Sequence, residues 1–274
     1  MLTHSFCHLP GIGPKREQQF WRKGIRTWQD LLQKGENDVL TRQDRHRQTL
    51  VEESIRQLER GNAEYFAGLL PRAEMWRLFG EFKDQTAYLD IETTGMGPGL
   101  DHITCIGLFD GNSVQSFVQG QNLEEFVDRI LEYKLLVTFN GACFDVPFIE
   151  RELQIALPAA HIDLRFLLKS LGYAGGLKSV ERQFGLDRGC LGNADGYLAV
   201  LLWKRFEATA EKRVLETLLA YNAEDVINLE FLMAKAYQLK RAACHLTADT
   251  VADTFPDKGQ PFPNPYCVHP EVLD

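Results

Sequence analysis

The sequence predicts an α/β protein, and three observations carry that reading. Three strand-like runs, TAYLDIETT, HITCIGLFD and SVQSFVQ, lie close together between residues 86 and 119. A helical pattern and a further apolar strand, LEEFVDRILEY and LLVTF, follow them. On either side of this block, apolar residues recur at helical spacing rather than in alternation. Consecutive strands followed by a helix–strand alternation predict a mixed sheet, its antiparallel strands first, with helices on its faces. A chain of 274 residues is long enough for one large core and a smaller appendage.

Taken in order, FCHLPGIGPKREQQFWRKGIRTWQDLL reads as two short helices around a Gly-x-Gly hairpin. In TRQDRHRQTLVEESIRQLERGN, Val51, Ile55 and Leu58 keep i, i+4, i+7 spacing, and Gly61 and Asn62 stand where a helix would stop. Pro71, a favoured first helical residue, opens a further helix through Trp76 and Phe79 to Gly80. Residues 1–80 are therefore expected to be all-helical. Asp110-Gly111-Asn112 joins the second and third strands as a hairpin turn. After LLVTF the segments FDVPFIERELQ, LKSVERQFG and ADGYLAVLLWKRFEA read as helices, as does a long stretch from about Glu211 to Leu239. From Thr247 onward Pro256, Pro261, Pro263, Pro265 and Pro270 predict an extended arm. The expected division is a helical segment over 1–80, the α/β body over 81–240 and the Pro-rich arm over 241–274.

An apolar fraction of 45% and a charged fraction of 25% are those of an ordinary globular protein. The densest apolar run, YLAVLLW, is far shorter than the roughly 18 residues of a membrane span. MLTHSFCHLPG lacks the basic start and apolar stretch of a secretory signal. Six scattered cysteines without a CxxC suit a reducing compartment. A cytoplasmic protein with no membrane partner and no obligate protein partner is expected. The net charge of −8 is uneven: residues 1–80 hold 13 Lys+Arg against 10 Asp+Glu, the remainder 17 against 28. A slightly basic front on an acidic body suggests two jobs. The acidity is partly explained if carboxylates serve metal ions.

YLDIETTG places Asp90 and Glu92 two residues apart, on one face of a strand. Two carboxylates about 4 Å apart repel by roughly 4 kcal/mol at an effective dielectric of about 20. A cation must join them, or one must take a proton. Oxygen-only donors suit Mg²⁺ or Mn²⁺; an exposed edge pair facing solvent is the alternative reading. Asp145 stands in the first turn of a helix after Asn140-Gly141, where the macrodipole alone also favours an acid. Tyr221 and Asp225 stand at i and i+4 on one helix face in LLAYNAEDVINLEFL, a pairing a half-buried aromatic beside a solvated acid also explains.

Together and in this order, the three segments resemble the motifs of the DEDD (DnaQ-like) 3′–5′ exonuclease superfamily of the ribonuclease-H-like fold. Asp90 and Glu92 match the first motif, Asp145 the second and Asp225 the third. Tyr221, four residues before the last aspartate, is similar to the DEDDy branch; the DEDDh branch has a histidine five before, where this chain has Ala220. FNGxxFDxPF and YNAED also resemble the proofreading domains of family-B polymerases. The WRLF…YLDIETTG junction and helical front resemble stand-alone bacterial YprB-type proteins. The resemblance implies a ribonuclease-H-like sheet and a phosphodiester hydrolase that removes nucleotides from a 3′ end of DNA or RNA. It implies two divalent cations, Mg²⁺ or Mn²⁺, held by Asp90, Glu92, Asp145 and Asp225, with Tyr221 positioning the attacking water. A non-catalytic nucleic-acid-binding scaffold and an endonuclease are the rival readings.

Weaker signals point to nucleic acid. LPGIGPKREQQF resembles a helix-hairpin-helix turn, whose backbone at Gly11 and Gly13, with Lys15 nearby, would meet a phosphate. Lys178 opens the helix of GGLKSVERQFG, although Leu177, Val180 and Phe184 make packing a sufficient reason for it. Thr93 and Asn140 flank the acidic motifs and are candidates for the substrate end. Asp163, in HIDLRFLL, is expected to be structural.

Overall fold

The computed structural model describes residues 1–37, 42–95, 97, 99–192, 196–244 and 261–273, without the side chains of 34–37 and 42–44. At its centre is one five-stranded sheet built from β1 (Thr86–Thr93), β2 (Ile103–Phe109), β3 (Val114–Val118), β4 (Leu135–Thr138) and β5 (His161–Asp163). The strand order is β3-β2-β1-β4-β5. β1 pairs antiparallel with β2 and parallel with β4, so the antiparallel hairpins do precede the parallel crossovers. The β2–β3 turn is fixed by Asp110, whose carboxylate accepts from the backbone N–H of Asn112 (2.9 Å) and Ser113 (2.8 Å). Gly111 takes the left-handed φ of +90° that this turn requires.

Helices cover both faces: α1 (Pro14–Arg22), α2 (Trp28–Asn37), α3 (Arg42–Glu59), α4 (Ala63–Leu69) and α5 (Phe79–Phe82) come before the sheet. After β3 come α6 (Glu125–Ile130), α7 (Asp145–Leu153), α8 (Leu164–Lys169), α9 (Leu177–Gln183), α10 (Gly196–Thr209) and the long α11 (Lys212–Ala243). Alternation along β1 divides its residues between two layers. Leu89 and Ile91 pack with Phe126, Ile130, Phe148 and Ile149 on one side. Tyr88 packs with Val226, Met233 and Tyr237 of α11 on the other. The helical front shares that second core: Phe6, Trp28, Phe66 and Trp76 belong to it, and Trp76 and Phe79 set their rings edge-on to Tyr237 at 5.9 and 5.5 Å. Among the described residues, no helix is long and apolar enough to cross a membrane.

The front departs from its expected layout. Gly11-Ile12-Gly13 does not separate two helices; only a single 3-10 turn, Leu2–His4, precedes it, and the α1–α2 break falls at Gly24. Gly11 and Gly24 both adopt left-handed φ, +72° and +83°, so composition alone does not say which turn divides the helices. Asn62 ends α3 as expected and also starts the unanticipated α4, its side chain accepting from the Tyr65 N–H at 3.1 Å. After Pro71 the chain forms a 3-10 helix, Arg72–Leu78, leading into α5. Met75, Trp76, Arg77 and Leu78 are all buried, so the segment lacks the solvent face of an amphipathic α-helix. The first part of the Pro-rich arm lies outside the described residues. Residues 261–273 cross α11, where the Asn264 amide donates to the Ala220 carbonyl at 2.8 Å and Phe262 meets Phe109.

Candidate active site

β1 is the central strand, so Asp90 and Glu92 project from the middle of the sheet towards α11 rather than from an edge. Tyr221 and Asp225, one turn apart on α11, face them. One carboxylate oxygen from each of Asp90, Glu92 and Asp225 lies within 4.8 Å of the others. Glu92 and Asp225 are buried, at 9% and 7% exposure. Asp145, at the start of α7 and 4% exposed, is tied to the same strand, its Oδ1 accepting from the Ile91 N–H at 3.1 Å. The structure thus brings all four acids to one end of the central strands, with Asp145 outside the tightest group.

Burial in this crowd pushes the carboxyls of Asp90, Glu92 and Asp145 towards their protonated forms. Asp90 is held well above the usual carboxylate range, first by desolvation and then by repulsion from Asp225, Asp145 and Glu92. Glu92 is raised for the same reasons, and the positive charges of Lys178 and Arg188 only partly oppose this. Desolvation raises Asp145 to about 7, despite the Ile91 N–H. These are hard oxygen donors with uncompensated negative charge, a set that fits a divalent cation of the Mg²⁺ or Mn²⁺ type.

Tyr221 is 3% exposed, and Lys178 Nζ on α9 donates to its hydroxyl at 2.8 Å while lying 4.4 Å from the ring centroid. Burial and the neighbouring carboxylates push the phenol well above its ordinary range, so it stays a neutral O–H. Thr93 spends its hydroxyl on the Gly95 carbonyl at 2.6 Å, closing the turn after β1. Asn140 adopts φ +67°, its N–H donating to Asp163 at 2.8 Å and its side-chain oxygen accepting from Arg165. Asp163 also accepts from Ala142 and Arg165 N–H groups, so it shapes the loop that delivers Asp145. Gly11 and Gly13 sit on the turn into α1, and Lys15 in the first turn of that helix. Among the described residues no hydrogen bond or ion pair links that turn to the carboxylates; the Gly11 carbonyl accepts from Arg16 at 3.3 Å.

Sequence reasoning missed three polar partners. Asn222, next to Tyr221, donates to Asp90 Oδ2 at 2.9 Å. It fits only because residue 107 on β2 is glycine: a Cβ there would lie 2.2 Å from Asn222 Oδ1. Arg188 forms an ion pair with Asp225 and is itself gripped by Glu181 of α9. A glycine facing a motif residue is a signal only when the pairing is known. Arg188, in an irregular segment, offered none. A separate cavity of about 580 Å³ opens beside the Asp145 loop, lined by Arg72, Trp76, Val146, His161, Asp163 and Phe166 among others, so it flanks the carboxylates rather than holding them.

Among solved structures, the chain is similar to Brucella melitensis NrnC with bound Mg²⁺, at 19% identity over 60% of this chain and 78% of that one, with a TM-score of 0.43. It is similar also to Brucella melitensis NrnC at 18% identity, over 61% and 79%, with the same TM-score of 0.43. No curated protein sequence matches it. The family model described as the RNase H superfamily matches residues 87–237, from the second residue of β1 to late in α11. That span is more than half of the chain and contains every strand partner of β1 together with all four carboxylates, and the protein belongs to the RNase H superfamily.

Proposed function

We propose that the protein is a metal-dependent 3′–5′ exonuclease that hydrolyses phosphodiester bonds at the 3′ end of DNA or RNA. The observation that carries the reading is the convergence of Asp90, Glu92 and Asp225 within 4.8 Å, with Asp145 fixed beside them, in a setting where Lys178 and Arg188 oppose the crowded negative charge only in part. Asp90, Glu92 and Asp225 would hold one divalent ion, and Asp90 with Asp145, outside the tight group, would serve a second. Divalent ions held there would supply a nucleophile from bound water at neutral pH and stabilise the leaving 3′ oxygen.

The chain's own groups do the positioning. The Tyr221 oxygen accepts from Lys178, which leaves its O–H to hold the attacking water by a hydrogen bond. A phenol so buried does not serve as a base; it orients. The Asn140–Phe144 loop, clamped by Asp163, fixes Asp145 relative to β1, and Lys178 adds positive charge beside Glu92 and Tyr221. The Tyr221–Asp225 spacing supports the DEDDy branch over a histidine-based one. The basic helical front, with Gly11, Gly13 and Lys15, supports a nucleic-acid contact away from the chemistry.

The test is release of mononucleotides from 3′-labelled single-stranded DNA and RNA with Mn²⁺. Wild type is expected to shorten the strand from its 3′ end, and Asp90→Ala to leave it intact. Cutting of a circular single strand would make the enzyme an endonuclease. Binding without cleavage under both metals would make it a scaffold.

A further inference from the structure

Three of the four carboxylates commit one oxygen to a protein donor. Asp90 gives Oδ2 to Asn222, Asp145 gives Oδ1 to the Ile91 N–H, and Asp225 gives Oδ1 to Arg188. Among the described residues, Glu92 makes no such side-chain hydrogen bond. The donor on Asp225 differs from the other two, because it is a charged side chain held by a scaffold of its own. The side chain of Arg188 is 2% exposed and that of Glu181 1%. Arg188 Nε donates to Glu181 Oε2 at 2.7 Å, and its Nη2 serves both Glu181 Oε1 and Asp225 Oδ1. The Asn228 amide, on the same face of α11 as Asp225, closes the set by donating to Glu181 Oε1 at 3.0 Å.

We propose that Arg188 is a positioning residue for Asp225, with Glu181 and Asn228 holding it, so that Asp225 presents Oδ2 to a divalent cation. The inference rests on the reading of the four carboxylates as a metal site. A buried ion pair is weak evidence of stabilisation, since apolar groups of the same volume often serve the fold as well. What the Glu181–Arg188 pair adds here is direction without net charge. Glu181 cancels the guanidinium, so Asp225 is gripped by a rigid planar donor while the site keeps its attraction for a cation. Lysine has the charge but lacks the planar fork that reaches Glu181 twice and Asp225 once.

Arg188→Met alone would strand Glu181 and risks the fold, so the decisive variant is the double exchange E181Q/R188M. It leaves the local net charge as in wild type and removes the grip on Asp225. Mn²⁺ binding by isothermal titration calorimetry is expected to weaken by about 10- to 100-fold, the usual cost of losing a group that orients a ligand. The thermal midpoint without metal should stay near that of wild type. On an oligonucleotide kcat should fall while KM holds, and R188K should recover only part of the Mn²⁺ affinity. Wild-type Mn²⁺ affinity in the folded double variant would overturn the proposal. The titration needs no cleavage: if wild type binds Mn²⁺ but cuts no strand, loss of affinity in E181Q/R188M upholds the role of Arg188 while the nuclease reading fails.

Discussion

The helical front and the carboxylate site both bury charge, and they do so in opposite ways. At the front, Glu17 is fully buried, accepts from the Phe6 N–H at 2.6 Å and the Ser5 hydroxyl at 3.1 Å, and pairs with Arg77 at 2.8 Å. Arg77 reaches Glu74 at 2.7 Å and lies 5.0 Å from the Trp76 ring. Each anion there meets a cation or a donor within the protein. At the site, Asp90 and Asp145 have the neutral donors Asn222 and Ile91 N–H, but among the described residues the cations that oppose the raised carboxyl of Glu92 are Lys178 and Arg188, and Arg188 is shared with Glu181. A balanced cluster serves the fold by itself. An unbalanced one costs the fold stability unless a cation arrives from outside.

The largest effect should come from unbalancing the front. Arg77→Met leaves the buried Glu17 and the half-buried Glu74 without their cation, and urea unfolding should show a loss of about 3–5 kcal/mol. A loss below about 1 kcal/mol would mean the cluster is not the keystone this contrast makes it.

Acid should act next, through His8. The ring packs against Trp28 and Phe66, its Nε2 within 3.0 Å of the Ser54 hydroxyl, and burial lowers its pKa from 6.5 to about 4. Below pH 6.5 the unfolded chain takes up a proton that the folded imidazole refuses until about pH 4. This contribution is therefore complete above pH 6.5 and is lost on acidification through that window, by about 3 kcal/mol. Unfolding free energies of wild type and His8→Gln, compared across the window, should diverge in slope; parallel slopes would remove His8 from the account.

At the site the signs reverse. Mn²⁺ at about 100 times its Kd should stabilise the protein by about 2.7 kcal/mol, read as a rise in Tm that EDTA cancels. The smallest effect is the sharpest contrast with Arg77→Met. Asp90→Asn removes one of four repelling carboxyls, so in EDTA it should leave stability unchanged or raise it by about 1 kcal/mol. Destabilisation in EDTA on the scale of the Arg77 variant would show the site to be balanced after all.

What was legible in the sequence was periodic. The i, i+2 acids on a β-branched strand and the i, i+4 phenol–carboxylate pair each place side chains on one face by geometry alone. That the antiparallel strands come first followed from hairpin signals before a helix–strand alternation, whereas the order of the strands across the sheet did not. Arg188 was illegible for the opposite reason: it lies outside any regular element, seven residues after Glu181 and far in sequence from Asp225, so only tertiary packing joins them. Asn222 was hidden differently, because its role depends on a missing Cβ at Gly107 across the sheet. The front was read as helical but with its turn misplaced, since Gly11 and Gly24 carry the same backbone signal.

The mutually repelling carboxylates on β1, α7 and α11 make a cation site in the reading proposed above. Counting Mn²⁺ ions per chain by calorimetry, in wild type and Asp90→Asn, tests it most directly. Wild type is expected to bind two ions, and Asp90→Asn to lose at least the tighter one. Wild type without measurable Mn²⁺ binding, or an Asp90→Asn titration that overlays wild type, would contradict it.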